Sequence, residues 1–145
     1  MPEAGRVLGF DYGEQRIGVA VGQQLTGTAT PLTTLNSRDR KPDWDGISAL
    51  IDEWQPEALV VGMPYHLDGS ASDIGERINR FCRQLHGRYG LPVHQVDERL
   101  SSAEAEQHLK LQRQQGRRKK INKQEIDQLA AAVQLESWLS GIQHD

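Results

Sequence analysis

Apolar positions in the first third of this chain fall in short runs, and after it helical stripes alternate with further runs. Residues 6–10 and 17–22 are apolar, glycine-punctuated runs separated by a turn around Tyr12-Gly13, the pattern of two neighbouring strands. Residues 28–35 are rich in threonine and predict a third strand, with Pro31 marking it as an edge. Residues 36–43 are polar and contain Pro42, a loop. Over 44–54, Trp44, Ile47, Leu50, Ile51 and Trp54 recur at helical spacing until Pro56 intervenes. The continuous apolar run 58–62 fits a strand buried on both faces.

Residues 63–70, with Pro64 and Asp68-Gly69, read as a loop. A helix is predicted over 72–86, with Ile74, Ile78, Phe81, Cys82 and Leu85 on one stripe and Gly87 near its end. A strand follows at 91–96, then a helix over 101–114 opened by the capping box Ser101/Glu104. The last helix runs over 123–139, capped by Asn122. The order β-β-β-α-β-α-β-α-α predicts an α/β fold: three antiparallel strands, then alternating elements that extend a mixed sheet covered by helices on both faces.

Composition changes this picture little. At 145 residues, 37% apolar and 26% charged, the chain suits one domain spanning 1–145, large enough to bury about two-thirds of its surface. The N-terminus shows no signal-peptide pattern, and no window approaches about 18 apolar residues. Cys82 is the single cysteine, which excludes an internal disulfide and a cysteine metal cluster. A cytoplasmic protein without membrane association is expected. No coiled-coil seam or exposed apolar helix is evident, which predicts a monomer or weak homodimer.

Charge is more informative in its distribution than in its total. The net charge is −3, yet residues 110–123 carry Lys110, Arg113, Arg117, Arg118, Lys119, Lys120 and Lys123 and no acid. Such a stretch is either a solvated loop or a footprint for phosphates.

Three places put an acid where structure does not obviously need one. Asp11 follows an apolar strand, where aspartate is disfavoured; it either starts the hairpin turn or serves chemistry. Asp97-Glu98 follow the last strand directly. Asp127 lies beyond the cap of the last helix and shares a face with Ala130 and Ala131, whose small side chains would let the helix lie tight on the sheet. The helix dipole is the simpler reason for an acid there. Sites in open α/β sheets form at the carboxyl ends of strands. Three carboxylates meeting at that rim, without histidine or cysteine, would make a hard oxygen site for Mg²⁺ or Mn²⁺, suited to hydrolysing a phosphodiester.

Gly9-Phe-Asp11-Tyr-Gly13-Glu-Gln-Arg16-Ile-Gly-Val-Ala20, Val60-Val-Gly62-Met-Pro64, Asp68-Gly69, Asp97-Glu-Arg99-Leu-Ser101 and Asp127-Gln-Leu-Ala-Ala131 occur in that order. Together they closely resemble the YqgF family of bacterial RNase H-like proteins over nearly the whole chain. The resemblance implies a five-stranded mixed sheet in the order 3-2-1-4-5 and a nuclease that matures the 5′ end of pre-16S rRNA. Its partner would be that RNA or a pre-ribosomal particle. Asp11 matches the family's first-strand aspartate and Asp127 its last-helix aspartate. The middle acid falls in Asp97-Glu98-Arg99; Glu98 is favoured for its reach, with Asp97 open. Arg16 and Arg99 either hold a substrate phosphate or pair with a neighbouring carboxylate. Lys123 either neutralises a flanking phosphate or is simply solvated. The tryptophans 44, 54 and 138, at apolar helical positions, read as core rather than as platforms for bases.

Three other functions are compatible with parts of this pattern. Likeness to the resolvase branch of the fold suggests Holliday junction resolution, with branched DNA as substrate. Asp11-x-Gly13 also occurs in actin-like ATPases, but those clasp nucleotide between two such domains. The basic stretch 110–123 suits a non-catalytic RNA-binding module of ribosome assembly.

Overall fold

In the computed structural model, residues 5–13, 15–39, 41–63, 73–97 and 123–143 are described. The expected loop over 64–70, the helix over 101–114, Glu98, Arg99 and the basic stretch through 122 lie outside them.

Strands β1 (Arg6–Tyr12), β2 (Arg16–Gln23) and β3 (Thr28–Asn36) form an antiparallel meander. After helix α1 (Trp44–Trp54), β4 (Ala58–Met63) pairs parallel to β1; after α2 (Asp73–Tyr89), β5 (Val93–Asp97) pairs parallel to β4. The sheet order is β3-β2-β1-β4-β5, as the resemblance implied. Helix α3 (Lys123–Gln143) completes the described elements. Pro31 does lie on an edge strand, beside a register shift opposite Val19/Ala20 that leaves Leu32 as an extra residue.

Strand alternation divides the sheet's side chains between two cores. Leu8 and Phe10, Ile17 and Val19, and Leu59 and Val61 pack against Ile47 of α1 and Ile78, Phe81 and Leu85 of α2. On the other face, Val7, Ala20, Ala58 and Val60 meet Ala131, Ala132, Leu135 and Leu139 of α3. Each fully buried leucine or isoleucine is worth about 1.5–3 kcal/mol, so both layers are held mainly by apolar burial. The His94 ring stacks on Trp138 at 4.9 Å, and Glu136 accepts the Ala29 N–H at 3.2 Å. Those contacts fasten α3 to opposite sides of the sheet.

Helix ends follow local chemistry. The Asp43 carboxylate accepts the Gly46 N–H at 3.0 Å and caps α1. Helix α2 outruns its predicted end: it passes through Gly87 and stops where Gly90 takes φ +67° and its N–H bonds the His86 carbonyl. Cys82 is half-buried, and burial raises its thiol pKa. No helix among the described residues is long and apolar enough to cross a membrane.

Candidate active site

The candidate site is built where β1 reaches its carboxyl end. Leu8 and Phe10 face α1 and α2, so Asp11 faces α3. Directly across the hairpin from Asp11 is Gly18. A side chain at Gly18 would fall on the peptide carbonyl of Asp127, so glycine is what lets the first turns of α3 rest on the sheet. Cross-strand partners are about 5 Å apart, and Asp127 is therefore a neighbour of Asp11.

Two further contacts fix this corner. The Arg16 Nε donates to Asp127 Oδ2 at 2.8 Å, with side-chain exposures of 30% and 22%. Of the two roles open for Arg16, the ion pair is the one present. Gln134, two turns after Asp127, donates its Nε2 to Asp11 Oδ1 at 3.2 Å. Its amide lies against Gly62, where any side chain would collide with it. Gln134 is 2% exposed, and its Oε1 has no hydrogen-bond partner among the described residues. A buried, unpaired acceptor is unfavourable by about 1–3 kcal/mol. Gln134 is thus an unfavourable residue for packing alone, placed where it holds Asp11.

The structure brings Asp11, Arg16 and Asp127 together. Ala131 is buried on the face that carries Asp127 to the sheet, whereas Ala130 is half-buried. Lys123 begins α3, one turn before Asp127. Asp97 ends β5 in register with Met63 at the end of β4, at the same rim; Glu98 and Arg99 lie outside the described residues. Among the described residues no three His, Cys, Asp or Glu side chains form a metal-binding group. Gln134 escaped sequence reasoning; its one signal was a polar amide within the apolar run 129–135.

A mixed five-stranded sheet in the order β3-β2-β1-β4-β5 with helices on both faces is the RNase H-like fold. Similar chains in solved structures are Thermus thermophilus RuvC bound to a Holliday junction (TM-score 0.58, 17% identity, 96% of each chain) and fowlpox virus resolvase (0.55, 12%, 94% and 98%). At those identities the likeness is one of fold. The chain belongs to the RuvX (YqgF) family, described as Holliday junction resolvase, whose pattern matches residues 5–141. Curated relatives bearing the name "Putative pre-16S rRNA nuclease" include one from Azotobacter vinelandii, 48% identical over 92% of both chains. Another, from Legionella pneumophila, is 48% identical over 93% of this chain and 95% of its own.

Proposed function

We propose that this chain is a metal-dependent nuclease that hydrolyses phosphodiester bonds, with the 5′ end of pre-16S rRNA as its substrate. The observation that carries the reading is the juxtaposition of Asp11 and Asp127 across the bare backbone of Gly18, at the carboxyl rim of the sheet. The naming of relatives that share nearly half the sequence supports the choice of RNA. Action in the cytoplasm, where such precursors are made, follows from that substrate. Among the described residues the large apolar side chains left exposed are Leu25 and Ile126, which supports a monomer or weak homodimer.

The donors fit Mg²⁺ or Mn²⁺: both carboxylates are oxygen donors, partly exposed, and neither histidine nor cysteine accompanies them. Asp11 and Asp127 would hold the ions together with Glu98, or Asp97 in its place. Such ions would supply activation of a water and charge stabilisation at the leaving 3′ oxygen, chemistry that would leave a 5′ phosphate. Gln134 restrains one oxygen of Asp11. Arg16 sets the rotamer of Asp127 and adds positive charge where a phosphate would enter. Arg99 and Lys123 would hold the flanking phosphates.

The deciding experiment compares wild type with Asp11→Asn on a precursor 16S fragment and a four-way DNA junction in Mn²⁺. Cleavage of the RNA that Asp11→Asn abolishes is the expected result. Preference for the junction would favour resolution, the activity in the family's description. Salt-sensitive binding without cleavage by either protein would favour the non-catalytic module.

A further inference from the structure

One residue beyond Asp11, on the opposite face of the sheet, lies a cavity of about 500 Å³. Its floor is aromatic. Tyr12 of β1 and Trp44 of α1 flank Phe81 of α2, with ring centroids 5.1 Å and 5.6 Å from it. Its walls are cationic: Arg77, Arg80 and Arg88 lie along one stripe of α2, and Lys41 precedes α1. The Arg88 guanidinium carbon stands 4.1 Å from the centroid of the Trp44 ring. Asp39 is the one carboxylate among the described lining residues. Four cations thus face one anion, on a chain whose net charge is −3.

Folding alone does not call for this arrangement. Arg80 and Arg88 are exposed, and gathering like charges on a folded surface is repulsive. Trp44 touches the core, as its helical spacing predicted, but it is only half-buried and also lines the cavity. At 4.1 Å the guanidinium already covers a face of the indole, so the pair offers a flat, polarisable platform on which a nucleobase stacks rather than a gap that it enters, and arginines along the wall suit a phosphate backbone. An acidic peptide would satisfy the cations but would leave the aromatic floor without use. Position adds a second argument. Asp11 and Tyr12 are consecutive on β1 and face opposite sides of the sheet, so a strand laid across this rim meets the carboxylates on one side and the aromatic floor on the other.

We propose that this cavity holds a single-stranded segment of nucleic acid flanking the cleaved bond, with a base against Trp44 and Arg88 and phosphates on Arg77, Arg80 and Lys41. The proposal rests on the nuclease reading of the Asp11 rim and adds to it the strand-holding surface.

The test is binding of a fluorescein-labelled 12-nucleotide oligouridylate to the whole protein in EDTA, where no cleavage intervenes, across a range of salt. The doubly substituted protein Arg80→Glu with Arg88→Glu, both at exposed positions, should bind at least ~10-fold more weakly at 0.1 M salt. Its log–log salt slope should shrink by about 0.7, for the one phosphate that Arg80 holds. Arg83→Glu, a single charge reversal on α2 outside the cavity lining, should have a much smaller effect than Arg80→Glu alone. Trp44→Leu should weaken binding about 5-fold or more with the salt slope unchanged, the signature of a lost stack. Unchanged affinity in the double variant would overturn the proposal. So would equal competition by polyaspartate of matched charge, which would show that the surface recognises acidic chains rather than bases. Metal-dependent cleavage by wild type, measured separately against Asp11→Asn, reports on the nuclease reading alone. Its absence from the wild type, or its persistence in Asp11→Asn, with strand binding intact would refute that reading and leave the cavity assigned.

Discussion

The side-chain amide of Gln134 donates to Oδ1 of Asp11 across 123 positions of sequence, and its own carbonyl oxygen is left buried without a partner among the described residues. The pair sets orientation against stability. Gln134→Met keeps the length of the side chain and removes both polar atoms. Thermal unfolding should show a change between zero and a gain of about 1 kcal/mol, because the unpaired acceptor disappears. Mn²⁺-dependent cleavage should fall about 10- to 100-fold, the usual loss when a group that orients a metal ligand is removed. Equal activity at equal stability would show that Asp11 needs no such restraint.

Arg16 and Asp127 form an ion pair that water reaches on both sides. Such pairs contribute about 0.2–1 kcal/mol, so Arg16→Gln should barely move the urea midpoint. Its effect on cleavage should be at least ~10-fold, and Arg16→Lys should fail to restore the rate, since a point charge does not reproduce a planar guanidinium. Full rescue by lysine would reduce Arg16 to a source of charge.

Gly18 is the seat of Asp127, and a methyl group there meets backbone rather than a yielding side chain. Gly18→Ala should destabilise the protein by about 1–3 kcal/mol through overpacking and shift the start of α3. Gly62→Ala instead meets the flexible Gln134 amide; its expected signature is a larger loss of cleavage than of stability. Paired denaturation and rate measurements on the two variants would separate these effects.

Burial raises the Cys82 pKa, even though the Gln95 amide donates to its sulfur at 3.6 Å. The unfolded thiol ionises first as pH rises. The thiol's contribution is therefore fully present below its unfolded pKa of about 8.5 and is lost as pH climbs from there through the folded value. Alkylation of the native protein at pH 8 should be slower than that of free cysteine, and Cys82→Ala should flatten the alkaline decline in stability. Fast alkylation would mean that the α2 stripe opens readily.

The sheet was legible because strand and helix periods are local: apolar alternation in β1 and β2, the run 58–62 and the stripe on α1 each announce themselves within a few residues. Pro31 marked an edge for an equally local reason, its missing N–H. Asp11 and Asp127 stood out as acids without a structural task. Gln134 did not, since a lone amide in an apolar helix reads as an interruption until its partner on β1 is known. The two roles of Arg16 were inseparable for the same reason, and Trp44 looked like core because only half of its surface is. The end of α2 was misjudged at Gly87, where a helical glycine meets nothing within 4 Å; the stop belongs to Gly90 and its positive φ.

Arg16 and Asp127 are 111 positions apart, and Asp11 and Gln134 are 123 apart. A ribosome therefore finishes the whole sheet before the residues that complete this corner have been polymerised. Until α3 is released and docks on Gly18, Asp11 has no amide to orient it and Arg16 no carboxylate to hold. Long-range closure of this kind is among the slower steps of folding. If the proposed site is the catalytic one, a growing polypeptide surrounded by ribosomal RNA would be kept inert by its own order of synthesis, with hydrolytic competence arriving only when α3 docks.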